Sequence, residues 1–317
     1  MMTSVTVLVL ETYADVYARH LREAFPAIVV HPVKTVAEAS LDLTSIDVLV
    51  AFGIAIDDAM LRSMTRLRWI QSLATGVDHF LRCPSLRSET ILTSARGIHG
   101  PAMRETVAYL MLTMSHDTPL LVRHQAAHRW SRDRPWPLLA GKIAVLAGTG
   151  VSGSAVGELL QAFGLRVIGV SRTPRTEKGF DAIAHTDTLP ELVRETDYLI
   201  NVMPGGPQNA GLISRAVFAA LKPTAFFINI GRGETVDEAA LLDVLRDGRI
   251  AGAGLDVFAT EPLPEASPFW DLPNVFLTSH IGGLFAEYDQ YALPLVIDNM
   301  ERFLAGRHGE MRNLVPH

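Results

Sequence analysis

Short continuous apolar runs alternate with amphipathic stretches along most of the chain. Val5–Leu10 (VTVLVL) has the length and composition of a strand. It is followed by Tyr17–Phe25, where apolar residues at 17, 18, 21, 24 and 25 share one helical face. Asp47–Phe52, Trp69–Leu73 and Ile91–Thr93 predict further strands, with a short helix at Asp57–Met64. Apolar strands separated by helices are the pattern of a parallel sheet covered on both faces. Pro101–Ser115 then predicts a long helix, its proline tolerated in a first turn whose amides lack helical partners. Another helical stretch runs to about Trp130, before a charged, proline-containing loop at Ser131–Pro137. A second alternating series follows. Its strands are predicted at Lys142–Ala147, Arg166–Val170, Tyr198–Val202, Ala225–Ile230, Ala253–Val257 and Val275–Thr278. Its helices are predicted at Val151–Phe163, Leu189–Glu195, Ser214–Leu221 and Asp237–Leu245, and a last helix at Phe285–Leu304. The fold class is α/β, with doubly wound parallel sheets.

Composition narrows the function. A chain of 317 residues favours two domains. Net charge is −6, against the basic excess of a nucleic-acid binder. The single cysteine, Cys83, excludes an intrachain disulfide and leaves no thiolate cluster for a metal. The longest uncharged stretch, Tyr198–Ser214, is broken by Pro204, Gly205, Gly206 and Pro207, so no segment suits a bilayer. The apolar run at Val5–Leu10 lacks the basic leader and length of a secretion signal. A soluble, cytoplasmic protein with no membrane partner is expected.

Gly148-Thr149-Gly150-Val151-Ser152-Gly153 fits G-x-G-x-x-G, with a predicted strand before it and a predicted helix after it. In that context Gly148 permits a tight turn, Gly150 lets backbone approach a pyrophosphate, and Gly153 lets helix pack on strand. Free amides at the helix start, from Val151 and Ser152, would hold the phosphates. An NAD site usually places Asp or Glu about 20 residues on, to bind the ribose 2′-OH. Here that window reads Ser171-Arg172-Thr173-Pro174-Arg175, with no acid before Glu177. Hydroxyls at Ser171 and Thr173 and guanidinium forks at Arg172 and Arg175 suit a 2′-phosphate, which favours NADP(H) over NAD(H).

Three predicted strand ends carry polar residues: Arg232 after AFFINI, Glu261 beyond LDVF, and His280 after VFLTS. In open α/β sheets ligands lie beyond the carboxyl ends of the strands. Hydride transfer to a 2-oxo acid needs a proton donor for the carbonyl oxygen, which His280 can supply. Glu261 would fix its tautomer, and Arg232 would pair with the substrate carboxylate and polarise the carbonyl. No metal is needed, because the nicotinamide carries the hydride.

GTGVSG, NIGRGETVDEAAL, AGAGLDVFATEPLP and NVFLTSHIGG, in this order, resemble the successive signatures of the D-isomer-specific 2-hydroxyacid dehydrogenase family, and the resemblance runs from about Gly76 to Asn313. It implies a flavodoxin-like substrate domain of residues 1–96 plus 286–317 and a Rossmann dinucleotide-binding domain of residues 97–285. It implies Arg232, Glu261 and His280 as the catalytic set, and Asp256 as holder of the nicotinamide carboxamide. The Thr75 and Gly76 amides would bind the substrate carboxylate, and Met203, Pro204 and Ile230 would line the cofactor. The family commonly dimerises through the region around Trp130 and Trp136, so a homodimer is expected. The turn at Ser171–Arg175 resembles the glyoxylate/hydroxypyruvate reductase branch, which implies NADPH-dependent reduction of small 2-oxo acids to D-2-hydroxy acids. The chain departs from the family pattern at Ser152, Asn209 and Ser279. Two other readings share the fold: a dinucleotide-sensing corepressor, which typically carries long disordered tails, and an NAD-dependent phosphoglycerate dehydrogenase, which often carries a regulatory domain. Neither addition is visible here. His124 and His128, four apart on a predicted helix, lack a third metal ligand, and Cys83 has no activating neighbour.

Overall fold

The computed structural model describes residues 4–35, 42–132 and 135–317, so the predicted loop at Ser131–Pro137 lies partly outside the described residues. The chain divides into two compact units, residues Met1–Ile98 with Phe285–His317, and His99–Leu284.

The first unit holds five parallel strands: β1 (Thr6–Leu10), β2 (Val29–Val33), β3 (Val48–Ala51), β4 (Trp69–Ser72) and β5 (Ile91–Thr93), in the order β2-β1-β3-β4-β5. This is the flavodoxin-like doubly wound order. β1, β3 and β4 are buried along nearly their whole length because helices cover both faces. Helix α1 (Ala14–Ala24) buries Ala14, Tyr17, Ala18 and Leu21, the one-face spacing of an amphipathic helix. Helices α2 (Asp58–Ser63) and α3 (Asp78–Leu81) are short; Asp57 caps α2 by accepting from the Met60 amide at 2.7 Å. β2 was not apparent from the apolar pattern. It is an edge strand, VVHPV, only partly buried, and an edge tolerates Pro32 because one side needs no ladder donor.

The second unit opens with α4 (Gly100–Ser115) and α5 (Thr118–Ala126), which ends four residues before Trp130. Seven parallel strands follow: β6 (Ile143–Ala147), β7 (Arg166–Ser171), β8 (Ala182–His185), β9 (Tyr198–Asn201), β10 (Phe226–Asn229), β11 (Gly252–Leu255) and β12 (Val275–Leu277). Their order is β12-β11-β10-β9-β6-β7-β8. The order reverses between β6 and β9, the topological switch of a Rossmann sheet. Helices α6 (Val151–Ala162), α7 (Leu189–Leu192), α8 (Arg215–Ala220) and α9 (Glu238–Arg246) complete the layers. The helix predicted over Leu189–Glu195 stays α-helical only to Leu192 and finishes as a tight 3₁₀ turn. β8, also unforeseen, is the other edge of this sheet and has no fully buried residue.

The chain returns to the first unit with α10 (Tyr288–Leu304). It starts three residues later than predicted and carries Pro294 within it. Its buried face packs on α1 and the sheet. Asn299 Nδ2 donates to Gln71 Oε1 at 2.9 Å, and the Phe303 ring lies 5.2 Å from Trp69.

Candidate active site

The glycine loop joins β6 to α6. Gly148 has φ 106°, a conformation that favours glycine, and its amide is held by Val170 O at 3.1 Å. A Cβ on Gly153 would lie 2.0 Å from Gly148 O, so this glycine lets the helix close on the loop. A Cβ on Gly150 would meet nothing within 4 Å. The backbone is therefore open there, where α6 begins with no side-chain cap and with Val151 exposed. Uncapped amides beside open space fit a pyrophosphate.

β7 ends at Ser171, whose Oγ accepts from the Thr173 amide at 3.3 Å. The two arginines of this turn differ. Arg175 Nε is paired with Glu177 Oε1 at 2.6 Å, whereas Arg172 is exposed and has no ion-pair partner among the described residues. Arg172 is thus the open guanidinium of this turn.

Buried amides at the ends of β9 and β10 fix the next segment. Asn201 Nδ2 donates to Asn229 Oδ1 at 2.9 Å and to Thr235 Oγ1 at 2.7 Å, and Thr235 Oγ1 donates to Arg232 O at 2.7 Å. The Gly231 amide donates to Asn229 Oδ1 at 3.1 Å, and the Met203 amide to Asn201 Oδ1 at 3.1 Å. This network holds the Arg232 backbone while its side chain makes one hydrogen bond, to Gly231 O at 2.8 Å, and no ion pair among the described residues. Met203 and Ile230 are buried in the core, so they leave backbone rather than side chain to face a ligand, and Pro204 is exposed. Asn209 is buried, its Nδ2 donating to Pro204 O at 2.9 Å, so it staples this loop from within.

The segment after β12 carries His280. Its Nδ1 lies 2.6 Å from Glu261 Oε2, while Glu261 Oε1 accepts from the Phe258 amide at 2.9 Å. Burial works to raise the Glu261 carboxyl. The bonds from His280 and Phe258, with the charges of His280 and Arg232, outweigh it and hold the group below the ordinary 4.5. With Nδ1 committed to Glu261, Nε2 is the ring nitrogen left to meet a substrate. His280 has φ 53°, a strained conformation for a residue with a Cβ, stabilised by its amide donating to Asp256 O at 2.8 Å.

Asp256 itself is buried. Its Oδ1 accepts from Thr278 Oγ1 at 2.5 Å and the Ile281 amide at 3.0 Å, and its Oδ2 accepts from the Gly282 amide at 3.0 Å. Three of about four acceptor positions thus hold the His280 segment, leaving one for a ligand amide. Thr106 Oγ1, on α4, lies within donating distance of two carbonyl oxygens, Ala102 O at 2.9 Å in its own helix and Gly282 O at 3.0 Å, and the His99 ring packs against Gly283. Burial, then the charge of Arg232, push His99 down from 6.5 to about 4. Neither residue carries a motif; only the tertiary structure brings α4 to this segment. Ser279, an exposed residue, leaves the His280 bonds intact.

In the first unit, Thr75 and Gly76 follow β4. Tyr288 Oη donates to Leu73 O, and the Ala74 amide is held by Ser72 Oγ at 3.1 Å, leaving Thr75 exposed.

The model of the D-isomer specific 2-hydroxyacid dehydrogenase NAD binding domain matches residues 108–282, more than half of the chain. The chain belongs to this family. A glyoxylate/hydroxypyruvate reductase A of Yersinia enterocolitica is 33% identical over 260 residues, covering 78% of this chain and 80% of that protein. Among solved structures, a D-isomer specific 2-hydroxyacid dehydrogenase family protein from Aeromonas salmonicida superposes with a TM-score of 0.91 at 30% identity, over 99% of both chains. An NADPH-dependent glyoxylate/hydroxypyruvate reductase from Sinorhizobium meliloti, in complex with NADP and sulfate, superposes with a TM-score of 0.83 at 29% identity, over 98% of both chains. As a 2-hydroxyacid dehydrogenase the chain is an NAD(P)-dependent oxidoreductase using a nicotinamide dinucleotide.

Proposed function

We propose that this dehydrogenase reduces small 2-oxo acids of the glyoxylate or hydroxypyruvate type to D-2-hydroxy acids, with NADPH preferred over NADH. The observation that carries the reading is the His280–Glu261 pair, 2.6 Å apart in the same unit as an open glycine loop and an unpaired Arg232. The names of the Yersinia and Sinorhizobium relatives support the substrate class, and the NADP bound to the latter supports the cofactor.

The reduced nicotinamide, when bound, supplies the hydride that the carbonyl carbon accepts. The chain supplies the proton and the charge. His280 Nε2 delivers a proton to the carbonyl oxygen, so that C=O becomes CH–OH, while Glu261 keeps Nδ1–H and the ring orientation. Arg232 pairs its free fork with a substrate carboxylate and polarises the carbonyl, and in the first unit the Thr75 and Gly76 amides are the ones the family resemblance assigns to carboxylate binding. Gly148, Gly150 and Gly153 shape the phosphate cradle, and the Val151 and Ser152 amides fill it. Ser171, Arg172 and Thr173 face the 2′-phosphate, and Arg175 acts there only by leaving Glu177. The backbone at Met203, Pro204 and Ile230 lines the nicotinamide side, and the last acceptor position of Asp256 takes the carboxamide. Two copies pair through the region of Trp130 and Trp136, both exposed, as a homodimer.

Initial rates with glyoxylate, hydroxypyruvate, pyruvate and phenylpyruvate, each with NADPH and NADH, test the reading. Higher kcat/KM for glyoxylate or hydroxypyruvate with NADPH is expected. No turnover of any 2-oxo acid, or a clear preference for NADH, overturns it.

A further inference from the structure

We propose that a groove at the amino ends of β4 and β5 binds a phosphate group, independently of the catalytic residues. The groove has a volume of about 520 Å³ and is lined by Arg66, Arg68, Arg87, Glu89, Phe303 and His308, all in the first unit. It lies at the opposite end of β4 from Thr75 and Gly76, since Arg68 immediately precedes that strand.

Three guanidiniums meet here, and their commitments differ. Arg66 is paired with Asp47 at 2.9 Å. Arg87 is paired with Glu89 at 3.1 Å and donates to the carbonyl oxygens of Leu67 and Met64. Arg68 has no carboxylate partner among the described residues; its guanidinium lies 4.9 Å over the centre of the Phe303 ring. Stacking on a ring fixes the plane of a guanidinium while leaving its edge N–H groups free to donate. The same ring holds His308, stacked at 5.3 Å with an interplanar angle of 24°. His308 Nε2 is buried and lacks a hydrogen-bond partner. Buried polar atoms are almost always satisfied, so the groove lacks an atom that would pair with this nitrogen.

One chemistry answers both features. The three arginines exceed Glu89 and Asp47 by one charge, so the occupant is an anion. A carboxylate offers two coplanar oxygens, enough for the Arg68 fork alone. A phosphate offers three, so that one oxygen can accept from His308 Nε2 and another from the unused N–H groups of Arg87. The volume exceeds that of a bare ion and falls in the range of small-molecule sites, with Ile91 and Phe303 as apolar wall for an esterified phosphate.

Equilibrium dialysis of labelled inorganic phosphate against the full chain, with saturating NADP⁺ present, tests the site. One saturable site per chain is expected. Arg68→Gln is expected to weaken it by about tenfold or more. His308→Phe keeps the stack on Phe303, removes the nitrogen, and is expected to weaken it by a smaller factor. Phosphate is expected to raise the melting temperature of the native chain and not that of Arg68→Gln, whose melting point without phosphate reports that it is folded. Tighter competition by glycerol 3-phosphate identifies an esterified ligand; equal or weaker competition identifies the free ion. Absence of saturable binding, or a folded Arg68→Gln chain that binds phosphate as the native chain does, overturns the proposal.

Discussion

Arg172 follows the second strand of the dinucleotide unit with its guanidinium unpaired, while three residues on Arg175 is held by Glu177. If the open fork meets a 2′-phosphate, its removal matters for one cofactor only. Arg172→Ala is expected to raise KM for NADPH about tenfold and leave that for NADH within about twofold; equal losses for both would show that this turn does not select the cofactor. His280 and Arg232 are separable in the same way. His280→Ala removes the proton donor and is expected to lower kcat by about 10²–10⁴-fold with NADPH binding kept. Arg232→Lys keeps a positive charge but loses the fork, so KM for 2-oxo acids is expected to rise and kcat to fall together. If Arg232 served only to close its strand, the lysine variant would melt earlier with unchanged kinetic constants, and steady-state rates beside a melting curve decide.

At the scale of elements, the segment Thr278–Gly282 is short, irregular and held from two sides, by Asp256 at the end of β11 and by Thr106 on α4. Thr106→Val keeps the shape and removes the hydroxyl shared between Ala102 O and Gly282 O. The loss of one hydrogen bond is expected to cost about 1 kcal/mol of stability. A fall in kcat of several-fold, with KM for NADPH unchanged, would show that the bond also positions His280; unchanged kcat would confine Thr106 to packing. This support was the less legible part of the site. Arg232, Glu261 and His280 stood out because each is a charged or titratable residue just past an apolar run. The strand–glycine–helix order likewise announced the loop at Gly148. Thr106 sits on a helix and His99 just before it, neither with such a marker, Thr106 being 176 residues from Gly282, and only packing brings them near. The central strands were legible for the same reason as the charged residues: they are buried on both faces and therefore apolar throughout. β2 and β8, at the sheet edges, lose that signature because solvent or a loop replaces one neighbour.

For the whole molecule, His99, a buried ring at the start of the second unit, is one of the groups that couple folding to pH. The unfolded chain binds a proton at this histidine near its ordinary 6.5, whereas the folded chain resists until about 4, first because the ring is buried and second because Arg232 is close. Between those values the unfolded state holds more protons, so stability rises with pH. The stabilisation is complete above 6.5, declines as pH falls through the window, and amounts in full to roughly 3 kcal/mol. Glu261 has the same sign but a lower window. Its carboxyl is held below 4.5 when folded, so its contribution is present above its unfolded value and is lost only as pH falls through the folded one. The two are therefore separable by pH. The melting temperature is expected to fall between pH 6.5 and 4.5 in the native chain, and His99→Gln is expected to flatten that part of the profile while leaving the steeper loss below pH 4.5. A variant with the native slope between pH 6.5 and 4.5 would show that other groups set the acid limit of the fold.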